Sequence, residues 1–162
     1  MTTPTTTQTG TRTASWAEFE ADAPELAARV RERFLARKHC TLATLRADGA
    51  PRISGTELEL SDGELWIGSM PGAVKARDLQ RDGRCGLHSA TVDPVAEDGS
   101  DWPGEAKVHG VAEEVGAVPG HPPTSHRFRI ALTEAVFTRV VDGALAITSW
   151  HPGRGVEEHR RS

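Results

Sequence analysis

Between His39 and Ser69 the chain reads HCTLATL, RADGAP, RISGTELEL, SDG and ELWIGS: three runs of two-residue period separated by two Asp-Gly turns. No other feature constrains the fold as tightly. Alternate side chains of a strand point to opposite faces, so runs of this period can bury one face against a core and leave the other to solvent. Gly49 and Gly63 accept the positive φ that tight hairpin turns require. The segment therefore predicts a three-stranded meander. A further Asp-Gly pair, Asp142-Gly143, sits between TRVV and ALAITSW and predicts another hairpin near the C-terminus.

Around the meander the pattern changes. The Thr-rich residues 1–14 form a polar tail without periodicity, expected to stay unstructured, and residues 15–162 are expected to form one domain. Ser15 with Glu18 has the spacing of a capping box, and Asp22 with Glu25, with Pro24 in the first turn, predicts the start of a second helix. Leu26, Val30 and Phe34 place one apolar face along that helix through about Lys38, ready to pack on a sheet. Pro71-Gly72 opens a third helical stretch, AVKARDLQRD, which closes at Gly83. RCGLHSA and EAKVHGVAEEV read as strands, HRFRIALTEAVFTRVV as one long strand or two short ones, and HPGRGVEEHRRS as a tail. VDPVAEDGSDWPG and GAVPGHPPTS are loops by their Pro and Gly content. Six or seven strands with helical interruptions and no alternation of strand and helix predict a mainly β fold, a closed or partly closed antiparallel barrel.

The 162 residues carry a net charge of −4 and an isoelectric point near 6.0. That argues against nucleic acid as the main partner, because phosphate binding needs a broad basic surface. The opening residues lack an apolar leader segment, and no later run approaches the ~18 apolar residues of a membrane span, so a cytoplasmic protein with no membrane partner is expected. Cys40 and Cys85 fall inside strand-like runs and read as core side chains. His88 and His109 have no metal-ligand spacing, so no metal is expected. Ser54 and Ser69 have no His/Asp arrangement that would make either a nucleophile, which leaves any chemistry to a bound cofactor and the proton donor unidentified.

Against this acidic background, GSMPGAVKARDLQRDGR, residues 68–84, gathers Lys75, Arg77, Arg81 and Arg84. A solvated helix face is one reading. The other rests on position: Lys75 falls in the first turn of a helix just beyond Ser69, so its ammonium, the hydroxyl and free backbone N–H groups can converge on one anion. Trp150, His151 and Arg154 lie together after the final hairpin, where an indole can stack on a planar ring and a guanidinium can pair with a carboxylate, or where the indole seals the barrel end and the arginine faces water. Trp66 alternates with Leu65 and Ile67 and reads as packing. Lys107 faces either a ligand or water.

TLATLRADGAPRIS, LWIGSMPGAVKARDLQRDGR and TRVVDGALAITSWHPGRG, in this order behind an N-terminal helix, resemble the pyridoxamine 5'-phosphate oxidase-like split-barrel family, which includes the flavin and deazaflavin oxidoreductases of actinobacteria. The resemblance implies a six-stranded antiparallel split barrel, FMN-binding in type, and a homodimer with two cofactor sites at the subunit interface. It implies a cofactor phosphate held by Arg52, Ser69 and Lys75. Ser54, Gly68, Met70 and Val74 neighbour these positions and join them as cofactor-binding candidates, with Trp150 and Arg154 at the chain's end. Two departures stand out: Val74 replaces one of a basic pair, and Glu57 stands where FMN-using members carry lysine. A carboxylate there opposes a phosphate dianion, which tilts the expectation from FMN toward the 8-hydroxy-5-deazaflavin coenzyme F420. With no tyrosine in the chain, and without the family's C-terminal Arg-His segment, it does not resemble a true pyridoxamine phosphate oxidase. The expected activity is hydride transfer between the bound cofactor and a small organic substrate, with a non-catalytic flavin, deazaflavin or haem binder as the alternative.

Overall fold

Hairpin turns impose antiparallel pairing, and the computed structural model, which describes residues 10–162, carries that pairing through the whole sheet. In chain order the elements are α1 (Trp16–Asp22), α2 (Pro24–Leu35), β1 (His39–Leu45), β2 (Pro51–Ser61), β3 (Glu64–Ser69), α3 (Val74–Arg81), β4 (Arg84–His88), β5 (Glu105–Glu114), β6 (His126–Val141), β7 (Ala144–His151) and β8 (Gly155–Arg161). The meander and its turns are present. Asp62 and Gly63 have φ of 54° and 72°, and Asp142 and Gly143 have 52° and 75°. Both residues of each turn are left-handed, which matches the twist of a two-residue hairpin.

Neighbouring strands run β3-β2-β1-β4-β5-β6, and a further pairing of β3 with β6 closes these six into an antiparallel barrel. β7 and β8 continue the sheet outward as a wing. Closure and wing both depend on β6. One edge of this strand follows β5, while the other pairs with β3 over residues 126–130 and with β7 over residues 135–141. Between the two halves the register against β5 shifts at His109/Gly110, a bulge that bends the strand. Gly110 is required there, because a Cβ would run into the Ala131 carbonyl oxygen. The barrel interior is filled by Leu42, Leu65, Val108, Phe128, Ile130 and Leu132, and α2 covers it with Leu26, Ala27, Val30 and Phe34.

Several expectations change. The last twelve residues are not a tail: β8 pairs antiparallel with β7 from His151↔Gly155 to Leu145↔Arg161, giving eight strands among the described residues. Helix α2 ends at Leu35, short of Lys38, and its N-cap is Ala23 with no side-chain hydrogen bond. Asp22 accepts instead from the Trp150 indole N–H at 2.6 Å, a bond that ties α1 to the wing. The Ser15–Glu18 capping box forms as expected. Ala14, assigned to the polar tail, is buried and bridges Leu132; residues 1–9 of that tail lie outside the described residues. No helix among the described residues is long and apolar enough to cross a membrane.

One polar cluster fixes α3 against the barrel. Asp78 is 2% exposed. Its Oδ2 accepts from Thr44 Oγ1 at 2.8 Å and Arg52 Nε at 2.6 Å, and its Oδ1 from Arg81 Nη2 at 2.9 Å. Burial pushes the Asp78 carboxyl up, but the hydrogen bonds from Arg52, Thr44 and Arg81 outweigh it and hold the group at about 2. Removing one member of a buried charge pair strands the other, so Asp78→Ala should cost about 3 kcal/mol in urea unfolding. A folded-state pKa below the unfolded value of about 3.9 stabilises at higher pH and is lost as pH falls toward 2. The variant should accordingly show a shallower loss of stability between pH 4 and 2 than the parent. An equal acid slope in both proteins would show that the cluster does not hold α3.

Candidate functional site

On the outside of the barrel, β2 and β3 present alternate residues to one groove of about 490 Å3. Its floor is Gly55, Glu57 and Glu59 of β2 with Trp66, Gly68 and Ser69 of β3. Lys75 closes one end and Arg127 lies toward the other, while Val118, His121 and Ser125 form a wall from the loop before β6. That wall is held by its own bonds, since Ser125 Oγ accepts from the Val118 N–H at 3.0 Å. Gly68 lets it approach: a Cβ at this position would meet Val118 Cγ2 at 3.0 Å.

Lys75 turns into the groove. Its Nζ donates to the Gly55 carbonyl at 2.7 Å, which uses one of three donors and leaves the others for a ligand. Burial lowers the Lys75 pKa, and the neighbouring Cys40 opposes that shift. Burial also pushes the Cys40 thiol up to about 11 and the Cys85 thiol up to about 12, as suits core side chains. In the first turn of α3 the Ala76 and Arg77 N–H groups bond back to Ala73. The Val74 and Lys75 N–H groups precede these and have no acceptor within the helix. An ammonium and a helix N-terminus thus offer donors to an anion at one end of the groove, which Ser69 also lines with its hydroxyl donating to the Met70 carbonyl at 3.4 Å.

Elsewhere the groove is of mixed charge. Glu57 is flanked by Lys38 Nζ at 3.5 Å and His39 Nε2 at 3.3 Å, and the lysine partly offsets its charge from outside. The Arg127 guanidinium carbon lies 3.8 Å from the Trp66 ring centroid, a cation–π stack, and Glu59 is 3.7 Å from Arg127 Nη2. The Trp66 indole N–H donates to the Ser61 carbonyl at 3.2 Å, fixing the ring.

Of the candidates read from the sequence, Gly68, Ser69, Met70 and Lys75 line this groove together. Arg52, Ser54, Val74, Trp150 and Arg154 do not. Arg52 is bound to Asp78, and Val74 is half-exposed. Trp150 is 1% exposed with its ring centroid 4.6 Å from that of Phe19, so it has no free face for stacking. Arg154 sits in the β7–β8 turn beside His151 at 3.2 Å. Of the other charges of the basic stretch, Arg81 is engaged with Asp78 and the Leu45 carbonyl and Arg84 with Asp82, whose carboxyl those bonds bring down to about 2, while Arg77 is exposed. Lys107 pairs with Glu105 at 3.4 Å. Among the described residues no three His, Cys, Asp or Glu side chains are placed to hold a metal ion.

Trp66, Arg127 and His121 belong to the groove although the sequence reading left them out. For Trp66 the signal was present: it pairs with Glu59 and shares its strand parity with Gly68, so it faces outward onto the groove. Arg127 pairs with Gly68 across β3–β6, a contact that strand periodicity alone does not disclose.

The family model described as pyridoxamine 5'-phosphate oxidase matches residues 26–134. No curated protein sequence matches the chain. Among solved structures, PhzG from Burkholderia lata, in complex with tetrahydrophenazine-1-carboxylic acid, superposes with a TM-score of 0.59 at 14% identity over 90% of this chain and 89% of its own. A pyridoxamine 5'-phosphate oxidase-related, FMN-binding protein from Nostoc punctiforme gives 0.57 at 10% identity, covering 89% of this chain and 97% of its own. A haem-binding protein from Mycobacterium smegmatis gives 0.56 at 14% identity, covering 83% and 87%. At these identities the likeness is one of fold.

The stack of Arg127 on Trp66 makes a direct expectation. Arg127→Ala should uncover the indole, raising acrylamide quenching of tryptophan fluorescence and shifting emission to the red, while costing about 0.5–1 kcal/mol of stability. Trp16 and Trp150 are buried and contribute little to that change, and the half-buried Trp102, in the loop before β5, adds a background common to both proteins. Unchanged quenching would mean that Arg127 does not shield the ring in solution.

Proposed function

We infer the function from the family to which this chain belongs, the pyridoxamine 5'-phosphate oxidase family: it binds a phosphorylated redox cofactor, FMN or the deazaflavin F420, in the β2–β3 groove and serves as an oxidoreductase on a small organic substrate. The observation that carries this reading is Lys75, which at the N-terminus of α3 donates to the Gly55 carbonyl and lines the same groove as Ser69. A groove of about 490 Å3 is within the range of small-molecule and cofactor sites, roughly 300–1,000 Å3. The bound cofactor would supply hydride transfer; the residues of this chain hold its anionic end, present Trp66 and Gly68 along its length and limit water with the 115–125 loop. Glu57, only partly offset by Lys38, weakens the groove for a phosphate dianion and leaves a less concentrated anionic charge, as in F420, the better match.

The cofactor-bearing form is proposed to be a homodimer that completes two such grooves. In support, Ile53, Ala43, Gly86 and His109 follow one another across β2, β1, β4 and β5 on the outer face. Ile53 is 76% exposed there beside Ala43, with the His109 ring lying over Gly86. A second reading, haem binding without turnover, rests on His39 and His121 at the groove rim.

Titrating FMN and F420 separately into the protein and following fluorescence tests the assignment. One charge-assisted hydrogen bond is worth about 1.5–3 kcal/mol, so Lys75→Ala should weaken binding at least about tenfold, while Arg154→Ala should leave it unchanged. Equal affinity of parent and Lys75→Ala, or no binding tighter than about 1 mM, contradicts the assignment. Oxidation of the reduced cofactor by an enone or quinone then separates an enzyme from a carrier. A Soret shift on adding haem, lost in His39→Ala or His121→Ala, would favour the second reading.

A further inference from the structure

The sheet ends at β8. Among the described residues this strand pairs only with β7, so its other edge offers backbone N–H and C=O groups with no strand to receive them, and residues 156–162 are exposed. Natural sheets cover, bend or charge such edges, since an open edge templates pairing with another chain. Here the charges have an order. Glu157 and Glu158 precede His159, and Arg160 and Arg161 follow it. Two copies laid antiparallel about His159 bring Glu157 opposite Arg161 and Glu158 opposite Arg160, and the twofold axis repeats both pairs.

We propose that β8 is a self-association edge, on which two copies of this chain pair antiparallel about a twofold axis through His159 and join their sheets into one.

Register supports this assignment. Oppositely charged residues directly across an antiparallel pair stabilise it, and like charges there destabilise it. A slip that keeps each strand face on its own side moves the pairing by two residues. One such slip puts Glu158 on Glu158, and the slip in the other direction puts Arg160 on Arg160. Parallel in-register pairing sets every charge against its own kind. Among arrangements that keep the two copies' sheet faces on the same side, the same charges therefore oppose the neighbouring registers and favour one, which is how an edge strand gains specificity rather than general adhesion. In a single copy these groups are weakly engaged along the strand, with Arg160 Nε 3.2 Å from Glu158 and His159 Nε2 3.8 Å from Glu157, and they are free to turn across it.

Cysteine crosslinking reads this contact without reference to the groove or to contacts through the barrel face, so its outcome is independent of the cofactor assignment. Directly opposed residues place their Cβ atoms about 4.5–5.5 Å apart, close enough for a disulfide after slight adjustment. In His159→Cys the new thiol faces its own copy. In Val156→Cys, six residues separate the two along the paired strands, about 20 Å. Under oxidised glutathione at micromolar protein, His159→Cys should form covalent dimer at least tenfold faster than Val156→Cys. Adding Glu157→Arg and Glu158→Arg to His159→Cys makes all four cross-strand pairs repulsive and should slow crosslinking at least tenfold. Adding Arg160→Glu and Arg161→Glu as well restores complementarity with the signs reversed, and should recover the rate. Far-UV circular dichroism verifies that each variant retains the sheet. Equal rates for the two cysteine variants, or no recovery in the fully reversed strand, would overturn the proposal.

Discussion

Asp78 is a carboxylate with almost no access to water, and three donors from three elements converge on it: Thr44 from β1, Arg52 from β2 and Arg81 from one turn further along α3. A buried charge persists only when it is paired and hydrogen-bonded, so these donors and the position of α3 are fixed together. Two consequences reach the groove. The cluster binds Arg52 and Arg81, and Lys75, three residues before Asp78 on the same helix, is carried to the groove mouth. Without this anchor, a helix of eight residues has too few turns to hold its own direction.

The groove also needs a strand that serves two partners. β6 closes the barrel against β3 with its first residues and carries the wing with its last, and the bulge at His109/Gly110 separates these tasks. Because the first residues of β6 lie against β3, Arg127 reaches the outer surface beside Trp66, and the preceding loop rests on Gly68. Barrel closure and groove formation are thus one event. The wing turns the other way, with Trp150 packed on Phe19 and bonded to Asp22, so the aromatic residue best suited by type to stack on a cofactor is instead part of the core.

Local chemistry was legible in the sequence where it determines the backbone. The Asp-Gly pairs marked the hairpins, Ser15 and Glu18 marked the first helix, and the two-residue period marked the strands, because each of these signals acts within a few residues. Lys75, Ser69, Gly68 and Met70 could be placed together because strand end and helix start are adjacent in sequence. Long-range partners left no such trace. Arg52 has the right strand position for a phosphate, but its donor is directed to Asp78, twenty-six residues on. β8 escaped because its charged residues lack apolar alternation, and its pairing with β7 is fixed by a turn containing Gly153 and Gly155, both at positive φ. Asp22 looked like a cap until tertiary structure supplied a better donor in Trp150.

In this account the protein concentrates little positive charge at its groove: one half-buried lysine, a hydroxyl and a helix tip, with Glu57 paired to Lys38. In the proposed function, one anionic group binds at that end and a planar ring lies on the strand floor beside Trp66, one face of which carries Arg127. A crystal structure of the protein soaked with FMN or F420 tests it most directly. The account predicts the cofactor's phosphate within hydrogen-bond distance of Lys75 Nζ and Ser69 Oγ, with Arg52 still on Asp78. A phosphate held by Arg52 swung away from Asp78, or by Arg154 on the wing, would contradict it.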